Sequence, residues 1–162
     1  MKIIFLDIDG VLNNAATTDR CGERVGIDKY CLSRLKNVID HTKAKIVLIS
    51  PYGKGWVKDA QLKNTQDEFA NYIDEQFGAA GLTIYDKVGY ESLDETIPVR
   101  NSILEYVERV QPEKYVIIDN KRSDYYDCNM KRHHVGIAAE RGLLEHNTGR
   151  VLSLLLDEKD LF

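Results

Sequence analysis

A short apolar strand that ends in two aspartates constrains this chain more than any other segment. Residues 3–6 read IIFL, a run typical of a strand that is buried on both faces of a sheet. Asp7 and Asp9 follow directly, and Gly10 then allows the backbone to turn sharply. Two carboxylates at the end of a buried strand repel each other unless a cation lies between them. By itself the segment is as typical of an ordinary turn as of a metal or phosphoryl site.

Length and composition limit the fold and the setting of the chain. The 162 residues suffice for one domain of common size, so we expect residues 1–162 to form a single domain. Hydrophobic residues make up 43% and charged residues 30%, as in soluble globular proteins. No apolar run approaches a membrane span, and Asp7 interrupts the N-terminal segment too early for a signal peptide. We therefore expect a cytoplasmic protein without a membrane partner.

The cysteine and charge content argue against two further classes. Three cysteines without a CxxC pair do not indicate a disulfide framework. A net charge of -4 gives no overall electrostatic support for nucleic-acid binding. Basic residues do cluster at 121–122 and 131–134, but clusters of this size are usually solvated surface and give only a weak indication of binding.

Apolar strands and amphipathic helices alternate along the rest of the chain. Asp28 is a predicted helix cap, because apolar residues then recur at helical spacing up to residue 39. Residues 13–26 and 89–98 are polar and are predicted to be loops. Further strands are predicted at 44–50, 82–88, 115–118 and 134–138, and further helices at 56–77, 99–110, 123–130 and 148–156.

This alternation predicts an α/β fold, a three-layer αβα sandwich with a Rossmann-like parallel sheet of about five strands. Ligands of such sheets bind at the carboxyl ends of the strands. Asp7, Asp9, Ser50 and Asp119 all stand at predicted strand ends, so we expect them to share one site. Ser50 also precedes the glycine-containing loop 51–55, which suits either an anion or a simple turn.

Four motifs in this order resemble the haloacid dehalogenase (HAD) superfamily of phosphohydrolases. DIDGV, which begins at Asp7, resembles motif one, and IVLIS, which ends at Ser50, resembles motif two. Arg100 resembles the basic motif three, and VIIDN, which ends at Asn120, resembles motif four. The segments FLDIDGVLN, RNSILEYV and the late GLL are more narrowly similar to the small capless HAD domain of Swiss Army Knife RNA repair proteins.

The resemblance implies an aspartyl-phosphate mechanism, with Asp7 as nucleophile and Asp9 as general acid and base. An ionised aspartate that attacks a phosphate dianion needs a cation for positioning and neutralisation, and the resemblance implies Mg²⁺. The implied metal ligands are Asp7, Asp9, Asp119, Asn120 and Asp124. The implied phosphate-binding residues are Gly10, Ser50, Lys54, Lys87 and Arg100.

Two positions depart from the pattern of the superfamily. Asn120 stands where many relatives have a second aspartate, which removes one charge from the metal site, and Asp124 is a candidate to compensate. The loop 51–55 lacks the second hydroxyl residue and the Trp-Arg pair usual in the branch, so Lys54 is a candidate for part of their role. Lys87, at the end of a predicted strand, is a rival to Arg100 for the motif-three role.

The spacing of the motifs leaves no room for a cap domain, since a loop and a helix already fill the interval between motifs one and two. An uncapped site favours a macromolecular phosphate end, a nucleotide, or a partner subunit that serves as the lid. We therefore expect the substrate to be a phosphorylated small molecule, a nucleotide or a nucleic-acid end. The sequence leaves the oligomeric state open.

We rank first a phosphomonoester hydrolase that acts on a nucleotide or polynucleotide phosphate end, and three alternatives remain. A small-metabolite phosphatase closed by a partner subunit is one. A non-catalytic HAD-fold scaffold is another, although it would have no need for both Asp7 and Asp9. A receiver-like signalling domain is also α/β with acidic strand ends, but its usual order puts the lysine after the last aspartate, unlike the order here.

Overall fold

A parallel sheet of five strands lies at the centre of the fold, which a computed structural model describes for residues 1–89 and 97–160. Its strands are β1 (Lys2–Leu6), β4 (Lys45–Leu48), β5 (Ile84–Lys87), β6 (Lys114–Asp119) and β7 (His134–Gly136). A separate antiparallel hairpin consists of β2 (Arg20–Cys21) and β3 (Arg24–Val25). The strand order in the large sheet is β5, β4, β1, β6, β7, so the order reverses at β1.

Helices cover both faces of this sheet. They are α1 (Lys29–Thr42), α2 (Glu68–Ala79), α3 (Val99–Val110), α4 (Cys128–Lys131) and α5 (Glu145–Leu155). Apolar side chains of α1, α2 and α5 pack on one face, and those of α3 and α4 pack on the other. The predicted three-layer αβα sandwich is therefore confirmed, and the described residues contain no cap domain.

Strand β1 is central because its apolar run supplies side chains to both layers. Ile4 and Leu6 belong to the core beneath α1, α2 and α5, while Ile3 and Phe5 belong to the core beneath α3 and α4. All four side chains are fully buried, as expected for a strand between two helical layers. Because β4 and β6 pair with β1 on either side, their carboxyl ends meet at the reversal point of the sheet.

The predicted helix 56–77 is wrong in its first half. A 3₁₀ helix occupies Ala60–Thr65, and α2 begins only at Glu68. Asp67 explains the break, because its Oδ1 accepts a hydrogen bond from the Ala70 amide at 2.8 Å and so caps a new helix. Trp56 is buried, as expected of a core residue, and its indole donates to Asp74 of α2 at 2.9 Å.

Three smaller differences separate prediction and structure. The predicted loop 13–26 contains the β2–β3 hairpin, whose two-residue strands are too short to show alternation. The predicted helix 123–130 is split into a 3₁₀ turn at Ser123–Tyr125 and the short α4, which Asp127 caps. Helix α5 begins three residues before the predicted start at 148. Most of the predicted loop 89–98 lies outside the described residues.

Within residues 1–89 and 97–160, no helix combines the length and the apolar character that a membrane crossing requires.

Candidate active site

Asp7 lies at the carboxyl end of β1 with its side chain almost completely buried. Its Oδ1 accepts a hydrogen bond from the Ile8 amide at 2.8 Å. Burial raises the pKa of Asp7 to about 6, and the nearby Asp119 carboxylate also raises it. The Ile8 amide, the Lys121 ammonium and the Ser50 hydroxyl act in the opposite direction and lower that pKa. Without a cation, the groups around Asp7 therefore stabilise its negative charge only in part.

Asn13 shapes the turn that carries Asp9. Its Oδ1 accepts from the Gly10 amide at 2.7 Å, and its Nδ2 donates to Oδ1 of Asp9 at 3.1 Å. Gly10 has a φ of +76°, and a Cβ at this position would lie 2.5 Å from Nδ2 of Asn120 and 2.9 Å from Cβ of Ala139. Only glycine fits this turn without strain, because the conformation and the close contacts both exclude a larger side chain.

Arg24 of the β2–β3 hairpin holds the second oxygen of Asp9. Its Nη1 lies 3.3 Å from Oδ2 of Asp9, and the two side chains are 35% and 47% exposed. The guanidinium also lies 5.2 Å from the ring centre of Tyr52 and 5.1 Å from that of Phe69. These aromatic contacts fix the guanidinium as a planar group between two rings and a carboxylate. Asp9 is thus oriented by two side chains that come from outside β1.

Asp119 ends β6 with its carboxylate fully buried and hydrogen-bonded on both oxygens. Nε2 of His134 lies 2.6 Å from Oδ1, and the Tyr126 hydroxyl donates to Oδ2. The Lys121 amide also donates to Oδ1, at 3.1 Å. Nδ1 of His134 lies 3.3 Å from Oγ of Ser123, so both ring nitrogens have a partner. Burial and the Asp119 carboxylate raise the pKa of Tyr126, which keeps its hydroxyl a hydrogen-bond donor.

The other two metal ligands implied by the resemblance lie in different surroundings. Asn120 Nδ2 donates to the backbone carbonyl of Asp9 at 3.2 Å, so this side chain borders the turn after β1. Asp124 is 65% exposed and pairs with Arg122 at 3.3 Å. The structure thus brings Asn120 to the site but turns Asp124 toward a surface arginine.

The loop after β4 is closed by Ser50 and Lys87. Ser50 is buried, and its Oγ accepts from the Tyr52 amide at 3.1 Å, which starts the 3₁₀ turn Pro51–Gly53. Nζ of Lys87, at the end of β5, donates to the carbonyl of Lys54 at 2.6 Å. Lys54 and Lys87 therefore lie on adjoining segments beside Ser50, joined by this bond.

Tyr125 connects two further basic residues. Arg100 opens α3, donates from Nη1 to the Tyr125 carbonyl at 3.0 Å, and lies 4.9 Å from the centre of the ring. Nζ of Lys121 lies 5.3 Å from the same ring centre. Because the positive charge of Lys121 lowers the pKa of Asp7, this ammonium is close enough to act on the candidate nucleophile.

Sequence reasoning missed five residues of this site because their placement depends on contacts between distant segments. Arg24 belongs to a predicted loop, and Lys121 and His134 belong to basic clusters of a size that predicts solvated surface. One available signal was His134 itself, a polar residue at the start of a predicted buried strand. The five residues are Asn13, Arg24, Lys121, Tyr126 and His134.

The donors around Asp7 fit Mg²⁺. The carboxylates of Asp7 and Asp119, the backbone carbonyl of Asp9 and the side-chain carbonyl of Asn120 form an all-oxygen set. Oδ1 of Asp119 has two hydrogen-bond partners, so the further acceptor position of this carboxylate is on Oδ2, beside the bond from Tyr126. No three His, Cys, Asp or Glu side chains of residues 1–89 and 97–160 converge on one point. Mg²⁺ is commonly held by one or two carboxylates and retains several waters, which matches the pair of Asp7 and Asp119. The raised pKa of Asp7 marks the charge that such an ion would neutralise.

The sequence model of one protein family matches nearly the whole chain. The family is described as the HAD domain in Swiss Army Knife RNA repair proteins, and the match covers residues 3–148. This range includes every residue of the site from Asp7 to His134. No curated protein and no solved structure matches the chain significantly.

Proposed function

Because the chain belongs to the family of HAD domains in Swiss Army Knife RNA repair proteins, we propose that it hydrolyses phosphomonoesters at nucleotide or polynucleotide ends. The observation that carries this proposal is the buried Asp7 at the reversal point of the sheet, with a second carboxylate, a hydroxyl and an ammonium close by. A carboxylate in this position is suited to attack phosphorus, and burial keeps competing water away from it.

In the first step, Asp7 attacks phosphorus and the bond to the leaving oxygen breaks, giving an aspartyl phosphate. Asp9 donates a proton to the leaving oxygen. In the second step, a water attacks the same phosphorus, the bond to Asp7 breaks, and Asp9 accepts the proton of the water. Asn13 and Arg24 hold Asp9 at the edge of the turn, where its exposed carboxylate can exchange protons with substrate and water.

Donors that follow two strands, β4 and β6, stabilise the phosphate oxygens. The Ser50 hydroxyl and the Lys121 ammonium supply a donor and a positive charge beside Asp7. The Lys87 bond to the Lys54 carbonyl fixes the loop after Ser50, and Arg100 fixes Tyr125 beside Lys121. We propose that Arg100 takes the motif-three role, with Lys54, Lys87 and the Gly10 turn shaping the phosphate pocket.

Mg²⁺ is the cofactor in this proposal. It would be held by the carboxylates of Asp7 and Asp119, the backbone carbonyl oxygen of Asp9 and the side-chain oxygen of Asn120. When bound, the ion neutralises the two carboxylates and positions the phosphate. Asp119 is already oriented for this task, because its hydrogen bonds allow one orientation of the carboxylate. Asp124 would have to leave Arg122 before it could join the set.

We propose a polymer end as the substrate because no cap covers the strand ends within the described residues. An open site binds a small phosphate through few contacts, whereas a polynucleotide adds contacts outside the pocket. The matched family, whose description names RNA repair proteins, supports the same substrate class.

The test is magnesium-dependent phosphate release from an aryl phosphate and from phosphate-ended RNA and DNA oligonucleotides. We expect turnover by the wild-type chain, loss of turnover in Asp7→Asn, and retention in Asp19→Asn, which makes the same change at an exposed position. Absence of turnover on every substrate, in a folded protein that binds Mg²⁺, would overturn the proposal in favour of a binding scaffold. Stoichiometric, stable phosphorylation would indicate a receiver-like protein instead.

A further inference from the structure

A basic groove lies at the edge of the sheet formed by β4 and β5, near the amino ends of these two strands. Its volume is about 710 Å³, and it is lined by the first residues of β4 and β5, by α2 and by the segment that leads from Trp56 to Lys63. Four lining residues are lysines, and Asp74 is the one acidic residue among them. The excess of lysine is local, since the whole chain carries a net charge of -4. The four lysines are Lys43, Lys45, Lys58 and Lys63.

A break in strand pairing places an aromatic ring among these lysines. Ile46 pairs with Ile84 and Val47 with Asp86, so the register between β4 and β5 skips Tyr85. Such irregularities at a sheet edge redirect a side chain. Nζ of Lys58 lies 4.5 Å from the ring centre of the half-buried Tyr85.

Acidic neighbours occupy only part of this positive charge. Lys58 pairs with Asp86 at 3.4 Å, and Lys63 pairs with Asp74 at 3.1 Å. Lys43 and Lys45 are both exposed, on the stretch of chain that enters β4. Nζ of Lys45 also lies 5.9 Å from the ring centre of Tyr85. Two ammonium groups, those of Lys45 and Lys58, therefore lie near the Tyr85 ring.

We propose that this groove binds a single-stranded polynucleotide, with phosphates on the lysines and a base against Tyr85. Positive grooves with aromatic platforms are the usual means of binding single strands without sequence preference. An anionic membrane is a poorer occupant, because it requires exposed apolar side chains next to the lysines. Trp56 and Phe77, the large apolar residues of the groove, are only 3% and 1% exposed.

Strand β5 connects the groove with the loop beside the proposed active site. Strand β5 runs from Tyr85 to Lys87, and Lys87 donates to the Lys54 carbonyl in the loop after Ser50. At about 3.3 Å per strand residue, Tyr85 and Lys87 are about 7 Å apart along the strand. A polynucleotide whose phosphate end occupies the site at Asp7 would have to run along β5, from its carboxyl end toward its amino end, to reach the groove. This inference rests on the proposed function, but binding in the groove needs no turnover and can be measured separately.

The test measures binding of a fluorescent single-stranded RNA of about 12 nucleotides to the Asp7→Asn protein by anisotropy, at several salt concentrations. The decisive variant adds Lys43→Gln and Lys45→Gln. Glutamine suits position 43, because Gln111 adopts the same left-handed backbone conformation in this chain. The matched control adds Lys29→Gln and Lys131→Gln, which remove the same charge from exposed positions outside the groove.

We expect the groove variant to raise the dissociation constant about tenfold, and to reduce the slope of log affinity against log salt by about 1.4. The control variant should keep the dissociation constant and the salt dependence of the protein with an unsubstituted groove. In the chain with Asp7 intact, the groove substitutions should leave aryl phosphate turnover unchanged, because that substrate is too small to reach the lysines.

Equal losses of RNA binding in the groove variant and the control would overturn the proposal that the groove binds RNA. The phosphatase proposal would be unaffected. RNA binding that depends on the groove, in a chain without turnover on any substrate, would support the groove and overturn the phosphatase proposal. Tighter binding to phosphatidylserine vesicles than to RNA, lost in the groove variant, would reassign the groove to lipid.

Discussion

Nε2 of His134 lies 2.6 Å from Oδ1 of Asp119, and neither side chain is exposed. The Tyr126 hydroxyl donates a hydrogen bond to the other carboxylate oxygen. Two segments that follow β6 in the chain therefore hold the Asp119 carboxylate in place. A buried carboxylate is tolerated only when hydrogen bonds replace its lost hydration. The same two bonds determine which acceptor positions of Asp119 stay available for a cation.

Tyr126→Phe should lower both stability and magnesium affinity. The substitution keeps the ring but leaves a buried oxygen of Asp119 without its donor, which costs about 1–3 kcal/mol of unfolding free energy. Loss of this orienting bond should weaken Mg²⁺ binding about tenfold. Urea unfolding and calorimetric titration measure the two effects. Tyr125→Phe is the matched control, because its ring contacts do not need the hydroxyl. Equal effects in both variants would show that Tyr126 does not orient Asp119.

The buried charge of Asp7 should make stability depend on pH in the magnesium-free protein. Its pKa rises from the ordinary 3.8 to about 6 on folding, chiefly through burial, so the folded state binds more protons between these values. The contribution of Asp7 to stability should therefore fall as pH rises from about 4 to 6. Asp7→Asn should be more stable than wild type by about 3 kcal/mol at pH 7, with the difference vanishing near pH 4. Urea unfolding in EDTA across this range tests it. A difference that is independent of pH would contradict the burial argument, and added Mg²⁺ should reduce the difference.

Asn120→Asp should tighten magnesium binding and destabilise the metal-free protein. A carboxylate adds a negative charge to the proposed metal site, so the Mg²⁺ concentration for half-maximal activity should fall several-fold. The same change removes the amide that donates to the Asp9 carbonyl at 3.2 Å. Asn120→Ala separates the effects, since it loses the donor without gaining charge. An unchanged magnesium requirement in Asn120→Asp would place this side chain outside the metal site.

Arg24→Gln should lower kcat and leave KM nearly unchanged. The guanidinium holds Oδ2 of Asp9, so its loss should misplace the group that protonates the leaving oxygen. We expect about a tenfold loss with RNA ends, whose leaving oxygen needs that proton, and a smaller loss with an aryl phosphate. Arg20→Gln, on the same hairpin, removes an arginine that bonds the Glu23 carbonyl instead. A rise in KM without a change in kcat would make Arg24 a substrate contact and not a positioning residue.

The sequence predicts those elements whose periodicity is uninterrupted. Helix α3 has the predicted bounds, Val99–Val110, because one apolar face runs through its whole length. The strand ends at Asp7, Ser50 and Asp119 meet because parallel strands point their carboxyl ends the same way. The predicted helix 56–77 is interrupted because its apolar face is imperfect and the local capping bond of Asp67 starts a new helix.

The remaining site residues could not be predicted from neighbours in the chain. Arg24 reaches Asp9 only because a hairpin too short for periodicity folds back over the turn. His134 reaches Asp119 only because β7 pairs beside β6, with Asp119 opposite Gly136. Such contacts depend on strand order and register, which a single sequence does not contain.

Strand β1 obtains its neighbours from far along the chain, with Ile3 opposite both Lys45 and Tyr115. The loops that bring these segments together must close before any parallel pairing can contribute energy, which makes this topology slow to fold. The proposed nucleophile Asp7, the Ser50 hydroxyl and the Asp119 carboxylate belong to three separate strand ends, so a partly folded chain that lacks one of these strands also lacks a group that the proposed chemistry uses. Refolding should therefore restore activity and the native core with the same rate constant.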